Sequence, residues 1–246
     1  APVTLANAVT LGAGTTTVTG ANLGLSGVIS GAGAIDKTGA GVLTLTGNNN
    51  YGGGTTLAGG TLVVGGSSAL GGGALTAAAG TTLSGLGNAS LTNNVTLGGS
   101  VTINGSDSLT LAGVVDGSGP LVKTGASTLT LNGANTYTGG TTLAGGTLVA
   151  GGNTALGSGA LSVTGASTLQ AGAPGVALAN LVNLGAALTV SGANDLTLAG
   201  NITGAGGLTK SGAGTLTLSG QNQYSGGATP AGGTLIGDTL SLTGAI

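Results

Sequence analysis

The sequence predicts an all-β fold, a parallel β-solenoid wound from short strands. Three observations carry that expectation: a long stretch recurs at a fixed interval, apolar residues alternate with threonine, and glycine punctuates the chain after each short run. The recurring stretch runs from Lys37 to Gly65 as KTGAGVLTLTGNNNYGGGTTLAGGTLVVG. It returns from Lys123 as KTGASTLTLNGANTYTGGTTLAGGTLVAG and from Lys210 as KSGAGTLTLSGQNQYSGGATPAGGTLIG. Successive lysines are 86 and 87 residues apart, and so are Tyr51, Tyr137 and Tyr224.

The alternation is read at Leu43-Thr44-Leu45-Thr46, Thr128-Leu129-Thr130-Leu131 and Thr215-Leu216-Thr217-Leu218. A period of two marks a strand with one buried face. Threonine suits the wet face because its β-branch favours extended backbone. Glycine supplies the positive φ that tight corners need and breaks every candidate helix.

Taken in order, the first unit (residues 1–86) opens with strand-like Val9-Thr10-Leu11, Thr15 to Thr19 and Leu23-Gly24-Leu25, then passes Val28-Ile29 to the Lys37 stretch. Short strands follow at Ala74 to Thr76 and Thr81 to Leu83. In the second unit (87–173), Val95-Thr96-Leu97 and Leu109-Thr110-Leu111 stand 86 residues beyond Val9-Thr10-Leu11 and Leu23-Gly24-Leu25. The third unit (174–246) repeats them as Val182-Asn183-Leu184 and Leu196-Thr197-Leu198. Three strands per turn gives about four turns of ~21–22 residues per unit and about eleven or twelve turns for residues 1–246 as one domain.

Composition narrows the core. The 246 residues include 57 Gly and no Phe, Trp, Met or Cys. A core of Leu, Val, Ile and Ala alone must be thin, as between sheet walls ~10 Å apart. Lack of Cys excludes a disulfide framework and most zinc sites, and fits export in an unfolded state. The net charge of −2, with only three lysines, offers no footprint for nucleic acid. No apolar run is long enough for a membrane-spanning helix. The opening APVTLANAV has no initiator Met and no signal-like apolar run, as expected of a processed product or a fragment.

Chemistry is sparse. The carboxylates are Asp36, Asp107, Asp116, Asp195 and Asp238, with no His, Arg or Glu to assist them. Each sits among turn-forming residues, where Asp commonly serves the backbone. No catalytic, cofactor-binding or metal-binding residue is expected: neither the periodic Asp of a calcium roll nor the Gly-Lys-Ser/Thr order of a phosphate loop is present. Lys37, Lys123 and Lys210 are read as solvated corner residues that deter sideways strand pairing. The alternative is a sparse basic line along one face. Tyr51, Tyr137 and Tyr224 are read as covering core corners with their hydroxyls in water, the alternative being sugar contact.

The pattern K-T/S-G-x-G/S-x-L-T-L-x-G-x-N-x-Y-x-G-G-x-T, followed by A-G-G-T-L, resembles the autotransporter-associated β-strand repeat, also called the passenger-associated transport repeat. The resemblance covers Lys37 to Leu62, Lys123 to Leu148 and Lys210 to Leu235. It implies a right-handed parallel β-helix in a secreted bacterial surface protein, often an adhesin. The third copy departs from the pattern at Ala228-Thr229-Pro230, and Pro230 removes a ladder donor.

The expected function is mechanical: an extracellular structural rod, with copies or further passenger repeats stacking head to tail through Val3 and Leu5 at one end and Leu240 and Leu242 at the other. Alternatives are an adhesin passenger fragment binding a cell-surface or glycan ligand, and an ice-binding solenoid. The ice-binding reading is disfavoured because threonine is spread over several strands and the strongest recurrence is every four turns.

Overall fold

The computed structural model describes residues 3–20 and 22–237. They form a parallel β-solenoid with thirty-two strands and no helix among the described residues. Every ladder pair is parallel, and aligned residues in successive turns lie 19 to 21 positions apart, as in Leu23↔Leu43, Leu43↔Leu62 and Leu62↔Leu83. The turn is therefore close to 20 residues, shorter than the expected 21–22.

Each turn visits three faces. The first carries an unbroken twelve-strand sheet from Val3–Leu5 to Gln223–Tyr224. The second carries a two-strand sheet (Val9–Leu11, Ile29–Gly31) and an eight-strand sheet from Ala89–Leu91 to Ala228–Pro230. The third carries a six-strand sheet from Thr15–Val18 to Val115–Gly117 and a four-strand sheet from Val176–Leu178 to Thr234–Ile236. At about 4.8 Å per rung, twelve turns make a rod about 55 Å long.

Alternation does what period two requires. Inward positions form files such as Leu43, Leu62, Leu83 and Ile103, all under 4% exposed. Outward positions carry Thr, Ser and Asn. Leu and Ala fill the narrow interior, and stacking gives backbone N–H groups partners in the adjoining turn. Pro230 is the last residue of the terminal strand of its sheet, aligned with Lys210, so its missing donor falls at an edge among the described residues.

A step of 86 or 87 residues is not four turns of 20 but four turns and one face more. The strand Val42–Leu45 lies on the first face, its equivalent Thr128–Leu131 on the second, and Thr215–Leu218 on the third. Equivalent residues of the three units thus occupy three different faces. The alternative, a line of lysines along one face, does not occur: Lys37, Lys123 and Lys210 lie on the third, first and second faces.

Candidate functional site

The recurring lysines are inside. Lys37, Lys123 and Lys210 are 1%, 0% and 2% exposed, which corrects the reading of them as solvated corner residues. Each is the inward residue of a strand, in file with apolar neighbours: Val18, Lys37 and Leu57; Ile103, Lys123 and Leu143; Val190, Lys210 and Pro230. The aliphatic stem replaces a leucine in the core, and the ammonium reaches the corner.

There it meets three carbonyls. Lys37 Nζ donates to Thr38 O (2.7 Å), Gly39 O (2.8 Å) and Gly59 O (3.1 Å). Lys123 Nζ donates to Thr124, Gly125 and Gly145 at 2.6, 3.0 and 3.4 Å. Lys210 Nζ donates to Ser211, Gly212 and Gly232 at 2.6, 3.0 and 3.2 Å. Three donors face three acceptors, the full capacity of an ammonium. Desolvation lowers the pKa of Lys37 and Lys123.

The cage accounts for two parts of the motif at once. K-T/S-G supplies the lysine and two carbonyls from its own corner, and A-G-G supplies the third from the following turn. The second glycine of A-G-G has φ of +69°, +69° and +67° at Gly60, Gly146 and Gly233. A Cβ on Gly146 or Gly233 would stand 2.8 Å from the lysine Nζ.

The tyrosines are inside too, at 0%, 0% and 1% exposed, against the expectation of hydroxyls in water. Tyr51 OH and Thr55 Oγ1 share a hydrogen bond at 2.6 Å, as do Tyr137 OH and Thr141 Oγ1. Burial pushes both phenols up to about 12, offset in part by the threonine bond. In the third unit Ala228 replaces the threonine; burial again raises the pKa of Tyr224. Neither the lysines nor the tyrosines offer a surface for sugar or polyanion.

The asparagine two residues before each tyrosine also recurs with the motif, and neither alternation nor glycine corners assign it a role. Asn49 accepts from Ile29 N (2.8 Å) and donates to Ala69 O (2.6 Å), so one buried amide ties three turns. Asn135 does the same with Val115 N (2.7 Å) and Ala155 O (2.7 Å).

The carboxylates stay apart. Asp36 and Asp116 lie in one outward file through Thr56, Thr76 and Thr96, four rungs or about 19 Å from each other. That is well beyond paired-carboxylate geometry. Asp107 accepts from Gly87 N (2.8 Å) and Asp195 from Thr215 N (2.7 Å), both turn roles. Asp238 lies outside the described residues, and among those described no group of three His, Cys, Asp or Glu could hold a metal.

Comparison with known families matches the passenger-associated-transport-repeat model at residues 35–64, 121–150 and 208–236. The chain carries three passenger-associated-transport repeats. Each matched segment holds a whole lysine cage together with its Asn–Tyr pair. No curated protein and no solved structure matches the chain.

Of the expected end-contact residues, Val3 and Leu5 are exposed, at 59% and 44%. Leu240 and Leu242 lie outside the described residues.

Proposed function

We propose that this solenoid is a structural rod of a secreted or surface-attached bacterial passenger, and that it lengthens by end-to-end stacking of solenoid turns. The observation that carries this reading is the unbroken twelve-strand ladder of the first face over an aliphatic interior. Such a stack is stiff, and a parallel ladder of this kind is extended by adding further strands in register. Exposed Val3 and Leu5 at one end of the described residues and Ile236 at the other add apolar contact area. All three lysine charges are turned inward, which leaves the described surface with carboxylates as its only side-chain charges and little to hold other polymers electrostatically.

Electron microscopy of the purified chain tests the reading. Thin fibres, or isolated rods that join as concentration rises, with an axial repeat of about 55 Å, are expected. Rods that stay single at every concentration would remove the stacking part, and compact globules would remove both.

One surface feature favours a second reading. Thr128, Thr147, Thr168, Thr189, Thr209 and Thr229 stand in one outward file over six consecutive turns of the second face. The threonine recurrence is therefore every turn there, not every four turns as the motif spacing suggests. A regular hydroxyl file is what an ice-binding solenoid presents. Thermal hysteresis at millimolar protein is its test, and none would dismiss it.

A further inference from the structure

The chain holds two Asn-Gly pairs, Asn104-Gly105 and Asn132-Gly133. An asparagine followed by glycine can react with its own backbone, because the glycine nitrogen has no neighbouring Cβ to shield it and the peptide turns freely. The structure puts the two pairs in opposite circumstances.

Asn132-Gly133 stands at a tight corner of the ladder. Asn132 N donates to Leu111 O at 2.9 Å, and Gly151 N of the next turn donates to Leu131 O at 2.9 Å. Gly133 is buried, and a Cβ on it would lie 2.2 Å from Gly113 O and 2.6 Å from Asn135 Oδ1. Its peptide has no room to swing, and no hydrogen bond joins its N–H to the Asn132 amide.

Asn104-Gly105 opens the loop 104–108, between Val101–Ile103 on the first face and Leu109–Leu111 on the second. Asn104 is exposed to water. Gly105 N donates to Asn104 Oδ1 at 2.8 Å, which holds that nitrogen beside Cγ, the carbon it would attack. The same hydrogen bond draws electron density from the amide carbon and makes it a better electrophile. Gly105 has φ of +142°, and the nearest atom to a Cβ there would be Ser84 Cβ at 3.5 Å, so this peptide can move.

We propose that Asn104 is a self-modification site, where the fold promotes conversion of the side-chain amide to a carboxylate. Gly105 N gives up its proton and attacks Asn104 Cγ. The Cγ–Nδ2 bond breaks, and Nδ2 leaves as ammonia with a proton in place of the one lost. Water then opens the succinimide ring at either carbonyl. The product is aspartate, or isoaspartate with the main chain routed through Cγ. One water is consumed and one ammonia released, with no change of oxidation state.

The rung pattern accommodates either product. The last ladder bonds before the loop are Asn104 N to Leu83 O at 3.3 Å and Thr124 N to Ile103 O at 2.9 Å, both ahead of the changed atoms. Parallel pairing resumes at Leu109, aligned with Ala89 and Leu129. An added backbone carbon therefore lengthens the loop without shifting the register. One negative charge joins the formal −2 of the chain, on a surface whose lysines are turned inward. The fraction of rods carrying it measures time since folding, so the site acts as a clock.

The test incubates the full folded chain in mildly alkaline buffer, where Gly105 N loses its proton more readily, then denatures it and cuts it with trypsin. Cleavage at the lysines puts Asn104 in fragment 38–123 and Asn132 in fragment 124–210. Mass spectrometry of the fragments should find amide-to-acid conversion at Asn104 at least about tenfold faster than at Asn132, a barrier difference of about 1.4 kcal/mol. In denaturant the two rates should converge, since the fold alone separates them. Asn104→Gln should remove the early acidic species on isoelectric focusing. Equal rates in the folded chain, the same ratio in denaturant, or an early acidic species that survives Asn104→Gln would each overturn the proposal. The acidic species should also resist native trypsin as the parent does; prompt cutting at Lys123 would overturn the undisturbed register.

Discussion

The buried phenols set how the rod responds to alkali. Tyr51 and Tyr137 titrate at about 12 in the folded chain against an ordinary value of 10.0, chiefly because burial penalises the phenolate. A folded pKa above the unfolded one contributes stability that is whole below pH 10 and is lost as pH rises towards 12. At about 1.36 kcal/mol for each tenfold change in proton affinity, a rise from 10.0 to about 12 is worth roughly 2–3 kcal/mol per tyrosine, so about 5 kcal/mol for the pair. Lys37 and Lys123 act in the opposite sense: their lowered values make the fold gain stability as pH approaches the unfolded lysine value of 10.5, after which the gain is complete. The stability maximum should therefore sit near pH 10, followed by a steep fall. Denaturant midpoints by far-ultraviolet circular dichroism across that range give the curve, and near-ultraviolet absorbance counts phenolates directly. Tyr51→Phe with Tyr137→Phe should flatten the fall, leaving Tyr224 to act alone. Native-state phenolate appearing at the ordinary value of 10.0, or a midpoint unchanged between pH 10 and 12, would refute this reasoning.

The caged lysines supply the remaining predictions. Trypsin needs an accessible Lys or Arg, and the chain has only Lys37, Lys123 and Lys210; the folded rod should survive prolonged digestion, then yield all three cuts in denaturant, and a prompt native cut at Lys123 would contradict the cage. Lys123→Met keeps the stem but leaves the carbonyls of Thr124, Gly125 and Gly145 without their donor, for an expected loss of about 2 kcal/mol and about 5 °C in thermal midpoint. Gly146→Ala adds a Cβ at positive φ, 2.5 Å from two carbonyls and 2.8 Å from Lys123 Nζ, and should cost about 3 kcal/mol or more. Gly152→Ala meets nothing within 4 Å and should be within about 0.5 kcal/mol of neutral; equal effects at the two glycines would mean that the cage is not what the A-G-G sequence encodes.

Fold class was legible because alternation and glycine corners are local properties. The files Leu43–Leu62–Leu83–Ile103 were legible in principle as well, since apolar spacing near 20 is written along the chain. Dividing the 86-residue unit into a whole number of turns hid that spacing and left a line of lysines along one face open as an alternative. The cages were not legible, because an isolated lysine between glycines reads as solvated by default; only stacking brings Gly59 O of the next turn over Lys37 Nζ. The same holds for Tyr51, whose hydroxyl meets Thr55 only once the corner closes. Asn49 could have been found, since a polar residue fixed two places before a tyrosine in all three copies asks for a role.

The extra third of a turn has a mechanical consequence. The Asn–Tyr pairs and the loops stacked on them displace ladder strands: in turns three and four on the second face, in turns seven and eight on the third, while near Tyr224 the first face keeps only a two-residue strand. A unit of four whole turns would place all three interruptions on one face, and a rod with one weakened face bends towards or away from it. Because each unit advances by one face, two of the three sheets run unbroken past every interruption. Three such steps bring the motif back to its starting face. The period near 86 residues therefore spreads unavoidable defects evenly around the axis, and the caged lysine in each unit ties together the two turns beside its own defect.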